Sequence, residues 1–177
     1  MALSHTILAT LGNNALSGYD LWKKFTQCTN HSWKASQQQI YRELTKLEAQ
    51  GAITSEIISQ EGRPDKKPYR ITVRGKEILK TWIAEPSQPM AVRKEILVKV
   101  LAAHLLPSEV ITSELKRHYQ IHSQNLAACQ EKEKKFLVKS SELSVNEKCK
   151  YLTLRWGIRY ERECVAWCIE AIAMLNK

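Results

Sequence analysis

From Tyr151 to the C-terminus, apolar residues recur three or four positions apart: Tyr151, Leu154, Ile158, Val165, Cys168, Ile172 and Leu175, with Glu161 in the same register. That spacing is the seam of a helix packed along another helix, close to a coiled-coil repeat. Trp156, Tyr160, Trp167, Ala171 and Met174 form a second apolar stripe on the same segment. A helix that is apolar on two faces has to be covered on two sides. A two-helix arm cannot do this within one chain. The pattern therefore predicts a homodimer, with Leu154, Ile158, Val165 and Ile172 at the subunit interface. Glu161 interrupts the seam, and a buried carboxylate needs a partner; Arg117, Arg155 and Arg162 are the candidates.

The rest of the second half also reads as helical. A helix over residues 92–105 is expected to bury Ile96, Leu97, Val100 and Leu101. Pro107-Ser108 restarts the chain into a long helix reaching about Lys139, with Leu115, Tyr119, His122, Leu126, Cys129 and Phe136 as its stripe. Ser144 and Glu147, three apart, form a capping box at the start of the last helix. Pro86 and Pro89 punctuate the chain and divide it into two domains, 1–86 and 90–177.

The first domain has a different rhythm. Leu3, Ile7, Leu8 and Leu11 predict a helix over 2–11, ended by Gly12-Asn13-Asn14. A second helix starts at Ser17, a cap with Asp20 three residues on. Ser36 and Gln39 make a capping box for a third, which Gly51 stops, so that it runs from Gln37 to Gln50. Its Ile40, Leu44 and Leu47 form one buried stripe; Gln38, Arg42 and Thr45 lie opposite, with Tyr41 and Lys46 at the edges. Two strand-like stretches, 52–59 and 69–73, flank a polar, turn-rich segment and predict a hairpin with a long basic tip. Thr72 caps a further helix with Ile78, Leu79, Trp82 and Ile83 as its inner face.

Helix, helix, amphipathic helix, hairpin, helix is the order of a winged helix-turn-helix. The predicted fold class is mainly α with a small β-hairpin: a winged helix-turn-helix domain, then a C-terminal helical, coiled-coil-like dimerisation domain. A helix buried through one stripe leaves its other face free for the major groove of double-stranded DNA. Glutamine suits adenine edges and arginine suits guanine. The DNA-binding candidates are Gln37, Gln38, Tyr41, Arg42 and Lys46 on the helix, with Arg63, Lys66 and Lys67 on the hairpin tip for phosphates or the minor groove.

Six motifs carry a family resemblance. They are Leu16-Ser17-Gly18-Tyr19-Asp20-Leu21, the run from His31 to Ser36, Gln39-Ile40-Tyr41-Arg42-Glu43-Leu44, Leu47-Glu48-Ala49-Gln50-Gly51, the run from Gly62 to Tyr69, and Ile71-Thr72-Val73-Arg74-Gly75. In that order and spacing the first half resembles the PadR family of transcriptional regulators. The long helical second half is similar to the branch with an extended dimerisation domain. The resemblance implies a homodimeric repressor on an inverted-repeat operator, released by a small and frequently aromatic effector, phenolic acids being the best known. For such an effector, Trp82, Tyr119, Trp156, Tyr160 and Trp167 are pocket candidates, with Arg159 for a carboxylate.

Composition narrows the alternatives. A formal net charge of +9 favours a polyanionic partner. No stretch approaches the roughly 18 apolar residues of a membrane span, and the N-terminus lacks a signal-peptide pattern, so the expectation is a cytoplasmic protein with no membrane partner. Five cysteines, without a CxxC, are expected as free thiols, Cys164 and Cys168 lying one helical turn apart. His118 and His122 have the spacing of a shared metal site, but nothing nearby completes one, and no metal or cofactor is expected. The chain has no phosphate-binding glycine loop, HExxH, nucleophile elbow or triad spacing, and is not expected to be an enzyme. The competing readings are a winged-helix protein–protein adaptor and a ligand-independent repressor.

Overall fold

A computed structural model describes residues 2–12, 14–26, 35–59, 62, 65–88, 94–137 and 143–176. The chain divides into two compact units, Met1–Pro89 and Met90–Lys177.

The N-terminal unit contains, in order, α1 (Ala2–Leu11), β1 (Leu16–Ser17), α2 (Gly18–Thr26), α3 (Gln37–Ala49), β2 (Ile53–Ser55), β3 (Pro68–Ile71) and α4 (Val73–Ala84). Its core joins Ile7, Leu8 and Leu11 of α1, Leu21 and Phe25 of α2, and Ile40, Leu44 and Leu47 of α3, closed by Ile53 and Tyr69. The expected hairpin is one part of a three-stranded antiparallel sheet of order β1-β3-β2. Leu16 pairs with Tyr69 and Ser17 with Pro68, on the edge of β3 that β2 leaves free. Ser17 still starts α2: its Oγ accepts the Asp20 N–H at 3.1 Å and donates to Asp20 Oδ2 at 2.7 Å.

The start of α4 is locked to the end of α3. The Thr72 hydroxyl accepts the Gly75 N–H at 3.1 Å and donates to the Gly51 carbonyl at 2.7 Å. Gly75 passes so close to the Ala52 carbonyl that a Cβ there would stand 2.1 Å from its oxygen. The inner face of α4 is shorter than expected. Ile78 and Leu79 pack on the core, but Ile83 is 67% exposed and Trp82 lies outside the core, its ring stacked on His5 at 4.5 Å.

The C-terminal unit contains α5 (Glu95–Leu101), a 3-10 turn (Ala103–Leu105), α6 (Ser108–Leu137) and α7 (Val145–Leu175). The last two form an antiparallel pair. Glu133 meets Tyr151 and Arg155 at one end, His122 meets Glu161 in the middle, and Ile111 and Leu115 share a cluster with Ile172 and Leu175 at the other. The capping box at Ser144 is present in both directions.

Four expectations change here. Leu154 and Ile158 are 0% and 2% exposed within a single chain, because α6 lies along that seam; they are core rather than subunit interface. Ile172 likewise packs on Ile96, Ile111 and Leu115 of its own chain, leaving Val165, half-buried, as the one residue of that set with open surface and no place in the cluster. Glu161 is held by His122 and Asn125, at 2.5 and 3.2 Å, while Arg155 pairs with Glu133 and Arg117 with Glu114. The helix expected over 92–105 is shorter: residue 92 lies outside the described residues, α5 spans seven residues, and only Ile96 and Val100 point inward while Leu97 and Leu101 are exposed.

Candidate nucleic-acid interface and ligand cavity

The face of α3 is set by its cap and its buried stripe. Ser36 Oγ accepts the Gln39 N–H at 3.2 Å, and Gln39 Oε1 accepts the Ser36 N–H at 2.8 Å. Gln39, itself exposed, is thereby committed to the backbone, while Gln37 and Gln38 are exposed beside it in the first turn. With Ile40, Leu44 and Leu47 buried, Gln38, Tyr41, Arg42, Thr45 and Lys46 face solvent. Gln38, Arg42 and Thr45 are spaced i, i+4, i+7 and line up along the helix. Arg42 makes no ion pair among the described residues, whereas Lys46 stands 3.7 Å from Glu43. Tyr41 also packs inside the domain. Its ring covers Gly18, where a Cβ would fall 2.5 Å away, and so ties α3 to the start of α2.

The wing residues are placed differently from the expectation. Lys66 forms a bridge with Ile58 and its Nζ lies 3.5 Å from Asp20. Lys67 Nζ lies 3.1 Å from Glu48 and 5.2 Å over the Tyr69 ring. Both cations turn back towards the helices rather than standing at a tip. Arg63, the third wing candidate, lies outside the described residues, as do Cys28 and Trp33. The Ser17 hydroxyl first, and then Lys66, hold the Asp20 carboxyl below its ordinary range; Ser55 and then Lys67 do the same for Glu48.

A cavity of about 820 Å³ opens within the C-terminal unit between α5, α6 and α7. Trp156, Tyr160 and Trp167 supply aromatic walls, and the first two stack at 5.5 Å and 12°. Lys94 stands 4.6 Å over the Tyr160 ring with its Nζ 3.3 Å from Cys164 Sγ. Burial works against the Lys94 charge, but Tyr160 and Cys164 outweigh it and leave the ammonium above the usual lysine range. The α6 wall carries Arg117, His118 and His122; burial and then Arg117 hold His118 below the usual imidazole range. Burial pushes the Cys168 thiol up.

Four of the six expected pocket residues come together here: Trp156, Arg159, Tyr160 and Trp167. Tyr119, 38% exposed, is not part of the lining, and Trp82 belongs to the N-terminal unit. The residues that sequence reasoning missed are Lys94, His118, His122 and the two thiols as cavity walls. Periodicity marks the histidines and cysteines, but nothing in the sequence marks Lys94, which precedes its helix and reaches α7 across 70 residues. Among the described residues there is no His/Cys/Asp/Glu group suited to a metal ion, and no helix is long and apolar enough to cross a membrane.

The N-terminal unit, with its three-stranded sheet and a third helix whose polar face is bare, is a winged helix of the kind found in transcriptional regulators. Residues 7–81 match the family model of the PadR-like transcriptional regulators, and residues 92–176 match that of the virulence activator alpha C-terminal region. A probable transcriptional regulator of Mycobacterium tuberculosis is 32% identical, over 100% of this chain and 99% of its own. Bacillus subtilis PadR in complex with operator DNA has the same fold, with a TM-score of 0.82 at 27% identity over 99% of both chains. The same protein in complex with p-coumaric acid gives 0.74 at 27% identity over 100% of both chains. The Vibrio cholerae virulence activator AphA gives 0.75 at 30% identity over 98% of both. The chain belongs to the PadR-like family of transcriptional regulators, a family of regulators rather than enzymes.

Proposed function

We propose that this regulator is a homodimeric repressor that reads an inverted-repeat operator with α3 and releases it when a small aromatic acid binds. The observation that carries the DNA reading is the bare row of Gln38, Arg42 and Thr45 on a helix fixed by its capping box. Gln37, Tyr41 and Lys46 flank that row, and Lys66 and Lys67 are the described cations of the wing set to meet phosphates once their acids let go. The net charge of +9 and the operator complex of the Bacillus subtilis relative support the same partner. Bacillus subtilis PadR is a negative transcriptional regulator, which supports repression, and the aromatic cavity with the p-coumaric acid complex of that protein supports an effector.

The test is fluorescence anisotropy with a duplex carrying the inverted repeat upstream of the coding gene, against a scrambled duplex at the same salt. Wild type is expected to prefer the repeat. Gln38→Ala with Arg42→Ala is expected to remove most of that preference, about 1–3 kcal/mol for each base that is no longer read. Equal affinity of the wild type for both duplexes rules out sequence reading by α3, and no binding even at low salt leaves the adaptor reading in its place.

A further inference from the structure

The cavity of the C-terminal unit has a charge imbalance that its own residues do not resolve. Lys99 and Arg117 are matched by Glu95 and Glu114. Lys94 pairs with no carboxylate among the described residues; its half-buried ammonium has only the Tyr160 ring and the Cys164 thiol. Arg159 has no ion pair among them either, and the one unmatched acid of the lining is the exposed Glu163. The lining is left with a positive excess, and its least solvated charge is Lys94. A desolvated cation against apolar walls calls for an anion.

Size and shape narrow the ligand further. At about 820 Å³ the cavity lies towards the upper end of the range of roughly 300–1,000 Å³ found for drug-sized ligands. A single ring would leave most of the wall untouched, and an unfilled apolar wall forfeits its dispersion energy. Trp156 is half-exposed, with Tyr160 stacked against it, and its indole offers a flat surface more than one ring wide, with Trp167 as a further wall.

We infer that the cavity is a site for a multi-ring aromatic anion, stacked on the Trp156 indole with its acidic group on Lys94. This rests on the effector reading proposed above and specifies the ligand class and the anchoring residue. Lys94 is the residue that would choose anions over cations; the aromatic walls would choose several rings over one.

The experiment uses the full chain in its native oligomeric state and 1-anilinonaphthalene-8-sulfonate as the probe. Benzenesulfonate supplies the same charge on one ring, and 9-aminoacridine supplies fused rings with a positive charge. The expected result is one saturable probe site per chain, not displaced by either competitor at equal concentration. Lys94→Met is expected to weaken the probe about tenfold, the effect of removing one charge-assisted hydrogen bond, and Lys94→Arg to retain most of the affinity. Should Lys94→Met melt early by circular dichroism, Trp156→Ala, at a half-exposed position, is the second variant and is expected to weaken the probe while leaving the melt unchanged. Unchanged affinity in a folded Lys94→Met, displacement by 9-aminoacridine, or absence of a saturable site because a second copy fills the cavity each overturns the proposal. Operator release is read separately: Lys94-dependent binding without release upholds the site and tells against the effector reading alone.

Discussion

Gly75 and Gly18 both allow a close approach, yet an added methyl group should act differently at each. At Gly75 the new atom would meet the Ala52 carbonyl oxygen, which belongs to backbone held between α3 and β2. Neither element can retreat without repacking the core, so Gly75→Ala is expected to cost about 2–3 kcal/mol in urea unfolding. At Gly18 the atom would meet the Tyr41 ring, which can rotate away. Gly18→Ala should cost nearer 1 kcal/mol, and should show itself more in operator affinity, because Tyr41 borders the exposed face of α3. Equal losses at the two sites would refute the distinction between backbone and side-chain neighbours. Glu114 supplies a pH signature. Arg117 first, then Lys99 and His118, hold its carboxyl down at about 2. Because the folded value is depressed, the stabilisation is complete above the ordinary value of 4.5 and is lost as pH falls from there through about 2. Melting temperatures of wild type and Glu114→Gln, compared from pH 7 to pH 2, should differ at the top of that range and converge at the bottom. A gap that stays constant with pH would remove Glu114 as its source.

Among the elements, α3 depends most on its first turn. Ser36→Ala removes the Oγ that accepts the Gln39 N–H, leaving only the backbone half of the capping box, and is expected to cost about 1 kcal/mol, with Ser36→Asp restoring most of it. Discrimination between operator and scrambled DNA should fall further than stability does, since Gln37 and Gln38 sit in the turn that frays. Thermal melts and anisotropy on the same preparations separate the two effects; a cap variant with full discrimination would mean that the first turn does not read bases. Both capping boxes can be read from sequence because each is a local i, i+3 relation. The strand β1 cannot: two residues have no period, and their partners lie more than fifty positions away. The same limit explains Glu161. Its register on α7 is visible, but its partner His122 sits on α6, and side-chain type alone pointed to three arginines, of which Arg117 holds Glu114 and Arg155 holds Glu133. In the cavity, the aromatic walls follow from the helical period of α7, whereas Lys94 follows only from how α5 approaches α7.

At the scale of the whole molecule, the proposed homodimer would have to use a different surface from the Leu154 seam. The seam of Leu154 and Ile158 is covered by α6, so it no longer requires a second subunit. Apolar surface stays uncovered on α7 itself, at Leu152, Trp156, Ile169 and Met174, and a second exposed set lies before α6: Leu101 and Leu105 are 79% and 73% exposed, and Leu106 and Val110 follow on the same stretch of chain. A soluble monomer rarely leaves so many large apolar side chains together in water. Leu101→Glu with Leu105→Glu is therefore expected to shift sedimentation equilibrium from twice the chain mass of 20.4 kDa towards that mass, with little change in helix content. Both residues are solvent-exposed in the single chain, so the substitutions remove no internal packing comparable to a core deletion. The consequence for function is sharper than for fold. An inverted repeat engages two copies of α3 at once, and the second docking benefits from the high local concentration that the first creates. A monomeric variant should retain weak, salt-sensitive attraction to any duplex and lose the preference for the full repeat over a half-site. If the double variant remains a dimer, the interface lies on the half-buried Val165 side of α7 or on Leu152 and Ile169, and not on the turn between α5 and α6.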